Sequence, residues 1–230
     1  VAKHGNRSMT SKSGSADVLT ALGINISLSP EKVSTCIQEI GIGFMFAPSL
    51  HPAMKFAMGA RKSLAVRTVF NILGPLCNPA GVKRQLIGIF DGSLTDKVAR
   101  VLQRLGSVHA LVVHGHDGLD EISTADDTGY TELKPDGEIN SGTLSPSDFG
   151  LSLTDLKYLK GGSPDENAEI VRSIFNGEKG PHRDIVLVNA AAGIMVGGKV
   201  ETISDGIHIA EECIDSGAVN IVLNSLIAVK

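Results

Sequence analysis

The sequence predicts an α/β fold in which a mainly parallel central sheet is flanked by helices on both faces. From residue 85 onward, short apolar runs alternate with helical segments that begin at capping residues and end at glycine. The apolar runs have the length of strands and are almost continuous, which is typical of strands buried on both faces. Because helices bound these strands on either side, the pattern indicates mainly parallel pairing.

Three elements are indicated before that alternation begins. The chain opens as a strand, and an amphipathic helix over residues 15–22 ends at Gly23, which suits a left-handed C-cap. A second helix begins at Ser29 and Pro30, with serine as the N-cap and proline at the first helical position. Residues 41–70 are apolar, partly helical and rich in Met and Phe, a composition that favours core or interface packing.

The alternating part of the chain has clear turn and capping signals. Asp136 and Gly137 lie between two extended arms, as expected for the turn of a β-hairpin. In chain order the predicted elements are a strand over 84–90, a helix over 95–105, a strand over 109–115, a hairpin over 131–140, a helix from 163 to 177, a strand running into a helix over 184–196, and a helix over 207–217 capped by Ser204 and Asp205.

Composition and charge exclude several classes of protein. A net charge of −4 and a pI near 6.0 argue against a nucleic-acid-binding surface, whose footprint is basic. The three cysteines fit neither a zinc spacing nor a disulfide framework, so we expect reduced thiols in a cytoplasmic protein. No apolar run reaches the length of a membrane span, and no signal peptide is visible.

The loop before the first helix has the composition of a phosphate-binding segment. Residues 3–17 read KHGNRSMTSKSGSAD and combine cationic side chains with serine, threonine and glycine. Backbone N–H groups at a helix start attract anions, glycine permits close approach, and lysine or arginine supplies full positive charge. We interpret residues 3–17 as a phosphate-binding loop, and the alternative is a solvated basic loop.

Two adjacent carboxylates follow a predicted buried strand. Asp120 and Glu121 lie in a glycine-containing loop just after the strand over 109–115. Ligand sites of open α/β sheets lie at the carboxyl ends of strands. Mg²⁺ commonly binds one or two carboxylates together with phosphate oxygens, so the pair is a candidate magnesium site. Exposed Asp-Glu pairs are also common where no metal binds.

Four segments occur together in an order that resembles a known family. They are the loop over 3–17, HPAMK at 51–55 with Arg61 after it, RTVFNILGPLCNP at 67–79, and DGLDEIS at 117–123. This combination resembles the anthranilate phosphoribosyltransferases of tryptophan biosynthesis, which join anthranilate to phosphoribosyl pyrophosphate. The resemblance runs from Lys3 to about Gly217 and so covers nearly the whole chain.

The resemblance implies a two-lobed fold of the nucleoside phosphorylase and phosphoribosyltransferase type. Residues 1–28 and 69–230 would form the large α/β domain that binds phosphoribosyl pyrophosphate. Residues 29–68 would be an inserted part of a small all-helical lobe. In the family this lobe usually forms the dimer contact, so a homodimer is expected, with neither nucleic acid nor membrane as a partner.

The resemblance also implies the site residues. Those expected to bind phosphoribosyl pyrophosphate are Lys3, Ser8, Ser11, Ser13 and Gly14. Those expected to bind anthranilate are His4, Asn6, His51, Arg61, Gly74 and Pro75. Asp120 and Glu121 would coordinate Mg²⁺ as the cofactor. No general base is assigned, because the neutral amine of anthranilate is already a nucleophile.

Two family segments have no counterpart in this sequence. The glycine-rich GTGGD loop that wraps pyrophosphate and an Asn-x-Ser-Thr segment would both lie before Val1. We therefore expect the chain to lack its natural N-terminal portion and to be inactive by itself. Without the missing helices, the Met and Phe faces over 41–58 would form an apolar patch, and we expect self-association or poor solubility.

Two other functions are compatible with the same architecture. A pyrimidine nucleoside phosphorylase would use phosphate and a nucleoside, with different residues in the acceptor pocket. A nucleic-acid-binding relative without catalysis would need a basic face, which the net charge of −4 disfavours. HPAMK together with Arg61 favours anthranilate as the acceptor.

Overall fold

The computed structural model describes residues 1–7, 12–51, 53, 56, 59 and 70–230. The strands are β1 (Ala2–Gly5), β2 (Gly43–Phe46), β3 (Arg84–Gly88), β4 (His109–Gly115), β5 (Thr128–Leu133) and β6 (Ile139–Leu144). The α-helices described are α1 (Ser15–Ala21), α2 (Pro30–Glu39), α3 (Ala47–Leu50), α4 (Phe70–Leu76), α5 (Thr95–Arg104), α6 (Pro164–Phe175), α7 (Pro181–Val196), α8 (Ile203–Asp215) and α9 (Ala218–Ala228).

The described residues divide into two units. The first unit contains Val1–Gly81, Gly161–Arg172 and Ala218–Lys230, and the second contains Val82–Lys160 and Ser173–Gly217. Each unit has its own sheet, with two strands in the first and four in the second. The division into lobes that the resemblance implies, with 29–68 as the helical insertion, stays a prediction.

The four-stranded sheet of the second unit has the order β3-β4-β5-β6. β3 and β4 are parallel, with Leu86 opposite Leu111. β5 is antiparallel both to β4 and to β6. The predicted hairpin is confirmed, because Gly137 takes a positive φ of 89° in the turn between β5 and β6.

The α/β class is therefore present, but this sheet is not mainly parallel as the sequence pattern indicated. Only one of its three strand pairs is parallel. A parallel neighbour needs a crossover connection, usually a helix. Residues 116–127 between β4 and β5 contain no helix, and a short turn joins β5 to β6, so both connections reverse the chain direction.

Helix α7 replaces a predicted strand. The apolar run over 184–196 was expected to begin as a strand, yet Pro181–Val196 is one continuous helix with Pro181 in its first turn. Val188, Ala191 and Ala192 are fully buried, which explains an apolar run without helical alternation. Periodicity alone does not separate a buried helix from a buried strand.

Smaller differences occur at three other elements. Gly43–Phe46 is a strand inside the segment that was expected to be partly helical. Helix α8 begins earlier than expected, and its N-cap is Thr202 rather than Ser204 or Asp205. The sequence pattern did not indicate α9. In the part of the chain that the structure describes, no helix is both long enough and apolar enough to cross a membrane.

The core of the second unit forms where α7 packs against the sheet and α8. One cluster of buried side chains joins the sheet, the loop after β4 and both helices: Leu111, Val113, Ile122, Val188, Ala191, Ala192, Met195, Val196, Ile203 and Ile207. Because Ile122 belongs to this cluster, the loop that carries Asp120 and Glu121 is anchored in the core.

In the first unit, β1 and β2 are parallel, and Lys3 lies opposite Phe44. α2 begins as predicted, since the Ser29 hydroxyl accepts from the Lys32 N–H at 3.4 Å. Of the Met and Phe residues over 41–58, Met45 is buried and Phe56 is 80% exposed. Met54 and Met58 lie outside the described residues.

The crossing of α7 and α8 gives a prediction for two glycines. A methyl group at Gly206 of α8 would lie 2.7 Å from the Ala191 carbonyl oxygen of α7, whereas one at Gly193 would have no neighbour within 4 Å among the described residues. We expect Gly206→Ala to lower the free energy of unfolding by about 1–3 kcal/mol because the helices must separate.

Gly193→Ala is the matched control and should raise the free energy of unfolding by up to about 1 kcal/mol, because alanine favours the helix. Urea unfolding followed by circular dichroism measures both changes. Stabilisation by both substitutions would show that α7 and α8 are not in close contact at Gly206.

Candidate active site

Strand β1 presents His4 in a half-buried position within the first unit. Its Nδ1 lies 3.3 Å from the carbonyl oxygen of Gly74, and its Nε2 lies 3.1 Å from Nε2 of His51. The two rings meet edge to face, with centroids 5.0 Å apart. The structure thus brings together three residues predicted to bind anthranilate, although they are widely separated in the sequence.

The carbonyl of Gly74 determines the tautomers of this histidine pair. A carbonyl oxygen can only accept, so Nδ1 of His4 carries the proton in that hydrogen bond. In neutral His4, Nε2 is then unprotonated and accepts from the Nε2–H of His51. A neutral His51 is left with a lone pair on Nδ1, which can accept a hydrogen bond from an N–H group.

The surroundings of His4 lower its pKa. Burial has the largest effect, because it disfavours the charged imidazolium, and the neighbouring His51 and Lys3 act in the same direction. The hydrogen bond to Gly74 opposes the shift but has a smaller effect than burial and His51. The lowered pKa of His4 favours its neutral form, in which Nε2 can accept the hydrogen bond from His51.

Lys3 and Asn6 belong to the first part of the predicted phosphate loop, and both are exposed. The Asn6 side-chain oxygen accepts from the backbone N–H of Arg7 at 2.8 Å. The Asn6 carbonyl accepts from the N–H of Ala16 at 3.3 Å, which ties β1 to the start of α1. Ser8 and Ser11 lie outside the described residues.

Asp17 occupies several donors of the same segment. Its carboxylate accepts from the Gly14 N–H at 3.0 Å and from the Arg7 guanidinium at 2.8 Å. Gly14 is the N-cap of α1, and Ser13 beside it is half-buried. The positive charge of Arg7 is thus partly balanced, which leaves Lys3 and Lys12 as the stronger cationic candidates.

The second predicted acceptor segment is described only in part. Gly74 and Pro75 belong to α4, with proline inside the helix. Among the described residues, no atom would lie within 4 Å of a methyl group at Gly74. Arg61, the predicted partner of the anthranilate carboxylate, lies outside the described residues.

In the second unit, Asp120 and Glu121 lie in the loop after β4 and are both exposed. The loop contacts β3 at Gly88, where a methyl group would lie 1.5 Å from the carbonyl oxygen of Asp120. No side chain fits at Gly88, so the Asp120 backbone lies directly on the strand. Sequence reasoning did not identify Gly88, because a glycine in an apolar strand gave no signal of this contact.

Asp117 and Asn189 hold the same loop from two other sides. Asp117 accepts from the Leu119 N–H at 3.0 Å and also from the hydroxyl of Ser123. The Asn189 amide of α7 accepts from the Ile122 N–H at 2.9 Å and donates to the Ile122 carbonyl at 2.8 Å. Sequence reasoning missed both residues, although an asparagine inside an apolar run was a visible signal.

The donor set of this loop suits a hard cation. Adjacent carboxylates supply oxygen ligands, and Mg²⁺ usually takes only one or two of these and completes its shell with water and phosphate. Within the described ranges, no group of three or more His, Cys, Asp or Glu side chains could hold a metal ion. A zinc-type site with three or four protein ligands is therefore absent from that part of the chain.

Comparison with known proteins gives a consistent assignment. A family profile described as "Glycosyl transferase family, a/b domain" matches residues 1–220. The anthranilate phosphoribosyltransferase of Methanosarcina barkeri is 57% identical over 97% of this chain and 61% of its own length.

Solved structures agree with this match. Anthranilate phosphoribosyltransferase from Thermus thermophilus superposes with a TM-score of 0.91 at 41% identity, covering 98% of this chain and 67% of that one. The enzyme from Saccharomyces cerevisiae in complex with PRPP and Mg gives a TM-score of 0.89 at 30% identity, covering 98% and 63%.

These superpositions confirm the predicted α/β class and the likeness to the phosphoribosyltransferase fold. The chain spans less than two thirds of the length of the Methanosarcina and yeast proteins, at 61% and 63%. The chain belongs to the glycosyl transferase family defined by this α/β domain, the family of the anthranilate phosphoribosyltransferases that it matches.

Proposed function

We propose that the protein containing this chain transfers the phosphoribosyl group of phosphoribosyl pyrophosphate to the amine of anthranilate and releases pyrophosphate. The observation that carries this proposal is the 57% identity to an anthranilate phosphoribosyltransferase over 97% of the chain. The yeast relative in complex with PRPP and Mg supports the same donor and metal. No described residue gives specific support to a nucleoside phosphorylase or a nucleic-acid-binding protein.

The reaction sets two physical demands on the protein. The bond from ribose C1 to pyrophosphate breaks while a bond from C1 to the anthranilate nitrogen forms, and positive charge develops on the ribose. The protein must therefore hold the amine in line and stabilise a highly charged leaving group. Both demands are met by positioning and electrostatics rather than by extensive proton transfer.

Asp120 and Glu121 would hold Mg²⁺. When bound, the ion would supply positive charge that stabilises pyrophosphate as it leaves. This role is supported by the adjacency of the two carboxylates and by the exposure of both residues. The contact of the Asp120 carbonyl with Gly88 fixes the loop backbone and supports it further. Neither carboxylate is needed as a general base.

Lys3 would bind the phosphates of the donor together with Ser8, Ser11, Ser13 and Gly14. Lys3 is exposed at a defined position on β1, and a charge-assisted hydrogen bond to phosphate contributes roughly 1.5–3 kcal/mol. The Gly14 N–H already donates to Asp17, so Gly14 would contribute close approach rather than a free donor.

Anthranilate would be bound by His4, Asn6, His51, Arg61, Gly74 and Pro75. Arg61 would pair with the carboxylate through its planar guanidinium. The lone pair on Nδ1 of a neutral His51 would accept a hydrogen bond from the amine, which orients the nitrogen. The hydrogen-bonded pair of histidines and the contact of His4 with the Gly74 carbonyl support this assignment.

We also propose a domain organisation, an oligomeric state and a cellular location for the protein. The protein would have a large α/β domain from 1–28 and 69–230, with 29–68 as part of a helical lobe. It would form a homodimer through that lobe and function in the cytoplasm. Because the relatives are longer than this chain, we expect residues 1–230 alone to be inactive.

The first prediction concerns turnover. Protein expressed from the complete open reading frame, supplied with phosphoribosyl pyrophosphate and Mg²⁺, should consume anthranilate, which is followed by the loss of anthranilate fluorescence. Chelation should abolish the reaction, and the Asp120→Asn/Glu121→Gln variant should lose at least about 100-fold in kcat/KM because the metal ligands are neutralised. No turnover by folded wild-type protein would refute the proposed function.

The second prediction separates the donor site from the acceptor site. Lys3→Ala should raise the KM for phosphoribosyl pyrophosphate roughly 10- to 100-fold, because it removes a charge-assisted hydrogen bond. The KM for anthranilate should change much less. Lys97→Ala is the matched control, since Lys97 is exposed on α5 and belongs to no predicted site. Equal effects of the two substitutions would exclude a specific donor contact at Lys3.

The third prediction tests the histidine pair by titration. In ¹³C-detected NMR, His4 should titrate below the ordinary histidine pKa, because burial and His51 disfavour its charged form. A group with a lowered folded pKa stabilises the protein above its ordinary pKa, and this contribution is lost as the pH falls.

The His51→Gln variant should raise the pKa of His4 toward its ordinary value, since it removes the second largest cause of the shift. A His4 that titrates at or above its ordinary pKa in the wild type would contradict the geometry of the pair.

A further inference from the structure

We propose that Asn189 of α7 is a positioning residue for the metal site, because its amide fixes the backbone that carries Asp120 and Glu121. The inference rests on the proposed function, since it assumes that these two carboxylates hold Mg²⁺. It adds a residue 67 positions after Ile122 in the sequence that contributes no ligand itself.

The contacts of Asn189 are unusually complete. Its Oδ1 accepts from the Ile122 N–H at 2.9 Å, and its Nδ2 donates to the Ile122 carbonyl at 2.8 Å. Nδ2 also donates to the Ile185 carbonyl one helical turn earlier, at 2.9 Å. With both amide protons and the oxygen engaged, the side chain has a single favourable orientation.

Both ends of this connection are rigid. Ile122 is 1% exposed, and its side chain packs in the core cluster with Val188 and Ala191 of α7. Asn189 therefore projects from a buried helix onto a residue whose own side chain is fixed. The next residue toward the N-terminus is Glu121, so little backbone freedom is left between the anchor and the carboxylates.

Two other contacts complete the support of the loop. Gly88 lies directly beneath the Asp120 carbonyl, and Asp117 links Leu119 to Ser123 across the same turn. Hydrogen bonds thus hold the loop backbone at Leu119, just before Asp120, and at Ile122, just after Glu121. The Asp120 carbonyl also lies against Gly88 of β3. The carboxylates themselves remain exposed, so the loop is fixed while its ligands are accessible.

This arrangement matters because the metal site has few protein ligands. A site with only two carboxylates gains much of its affinity from having them already in place before the ion binds. Residues that orient metal ligands without touching the metal typically change metal affinity about 10- to 100-fold when they are removed. A purely structural asparagine would instead change stability and leave metal affinity unaltered.

The test measures metal binding directly, with Mn²⁺ as a probe that electron paramagnetic resonance detects. Protein from the complete open reading frame is titrated with Mn²⁺ in the presence of phosphoribosyl pyrophosphate. We expect Asn189→Ala to bind Mn²⁺ at least about tenfold more weakly than the wild type. Val196→Ala is the stability control, because Val196 is buried in the same helix and its aliphatic side chain can form no hydrogen bond with the loop backbone.

Two further measurements distinguish positioning from general loss of structure. In steady-state assays, Asn189→Ala should raise the Mg²⁺ concentration for half-maximal rate, and kcat at saturating Mg²⁺ should remain close to that of the wild type. Hydrogen exchange should show faster exchange at the Ile122 amide, which loses its acceptor, with little change in β4. Should Asn189→Ala fail to fold, the Asn189→Ser variant takes its place in all three measurements.

The outcomes separate this inference from the proposed function. If Asp120→Asn/Glu121→Gln loses Mn²⁺ binding while both Asn189 variants bind like Val196→Ala, the positioning role is wrong and the metal site stands. If the double carboxylate variant binds as tightly as the wild type, the metal site is wrong, and the role of Asn189 is overturned with it. If Mn²⁺ binds more weakly to the Asn189 variants and to the double carboxylate variant but not to Val196→Ala, the metal site and the positioning role are both supported.

Discussion

Helix α7 lies against β4 and α8, and it can do so because small residues leave room for its backbone. Ala191 and Ala192 are fully buried in α7, and Gly206 of α8 lies so close to Ala191 that a methyl group would overlap it. The same helix carries Val188, which belongs to one core cluster with Ile122, and Asn189, which binds the Ile122 backbone. The position of the Asp120-Glu121 loop therefore depends on how closely α7 approaches the sheet.

Contacts with β3 and α7 fix the backbone of the loop after β4, although loops are usually more mobile than the elements they connect. Loops of this kind carry ligands on a rigid scaffold. Here the scaffold acts through the main chain, because Gly88 lies against the Asp120 carbonyl, Asp117 binds the Leu119 N–H, and Asn189 binds the Ile122 backbone. In the proposed metal site, the carboxylates would then exchange water for metal and phosphate without a change in the backbone.

The strands over 84–90 and 109–115 and the hairpin at Gly137 could be predicted because local patterns determine them. The strand direction across the sheet could not, since it depends on whether residues 116–127 form a crossover helix. α7 was mistaken for a strand at its start because full burial removes the alternation that identifies a helix. Within the candidate site, the sequence alone indicates the adjacent carboxylates and the KHGN segment. It does not indicate the contacts of Gly88 and Asn189, because these join residues that are distant in the sequence. The pairing of His4 with His51 could not be predicted for the same reason, since only the folded chain brings β1 beside residue 51.

A crystal structure of the full-length protein with phosphoribosyl pyrophosphate and Mn²⁺ would show which residues bind the metal, because manganese is located by its anomalous scattering. We expect an anomalous peak within coordination distance of both Asp120 and Glu121. We also expect the Asn189 amide to remain bonded to Ile122 and donor phosphates to complete the metal shell. A metal held by other residues, with the Asp120-Glu121 loop uninvolved, would contradict the proposed metal site.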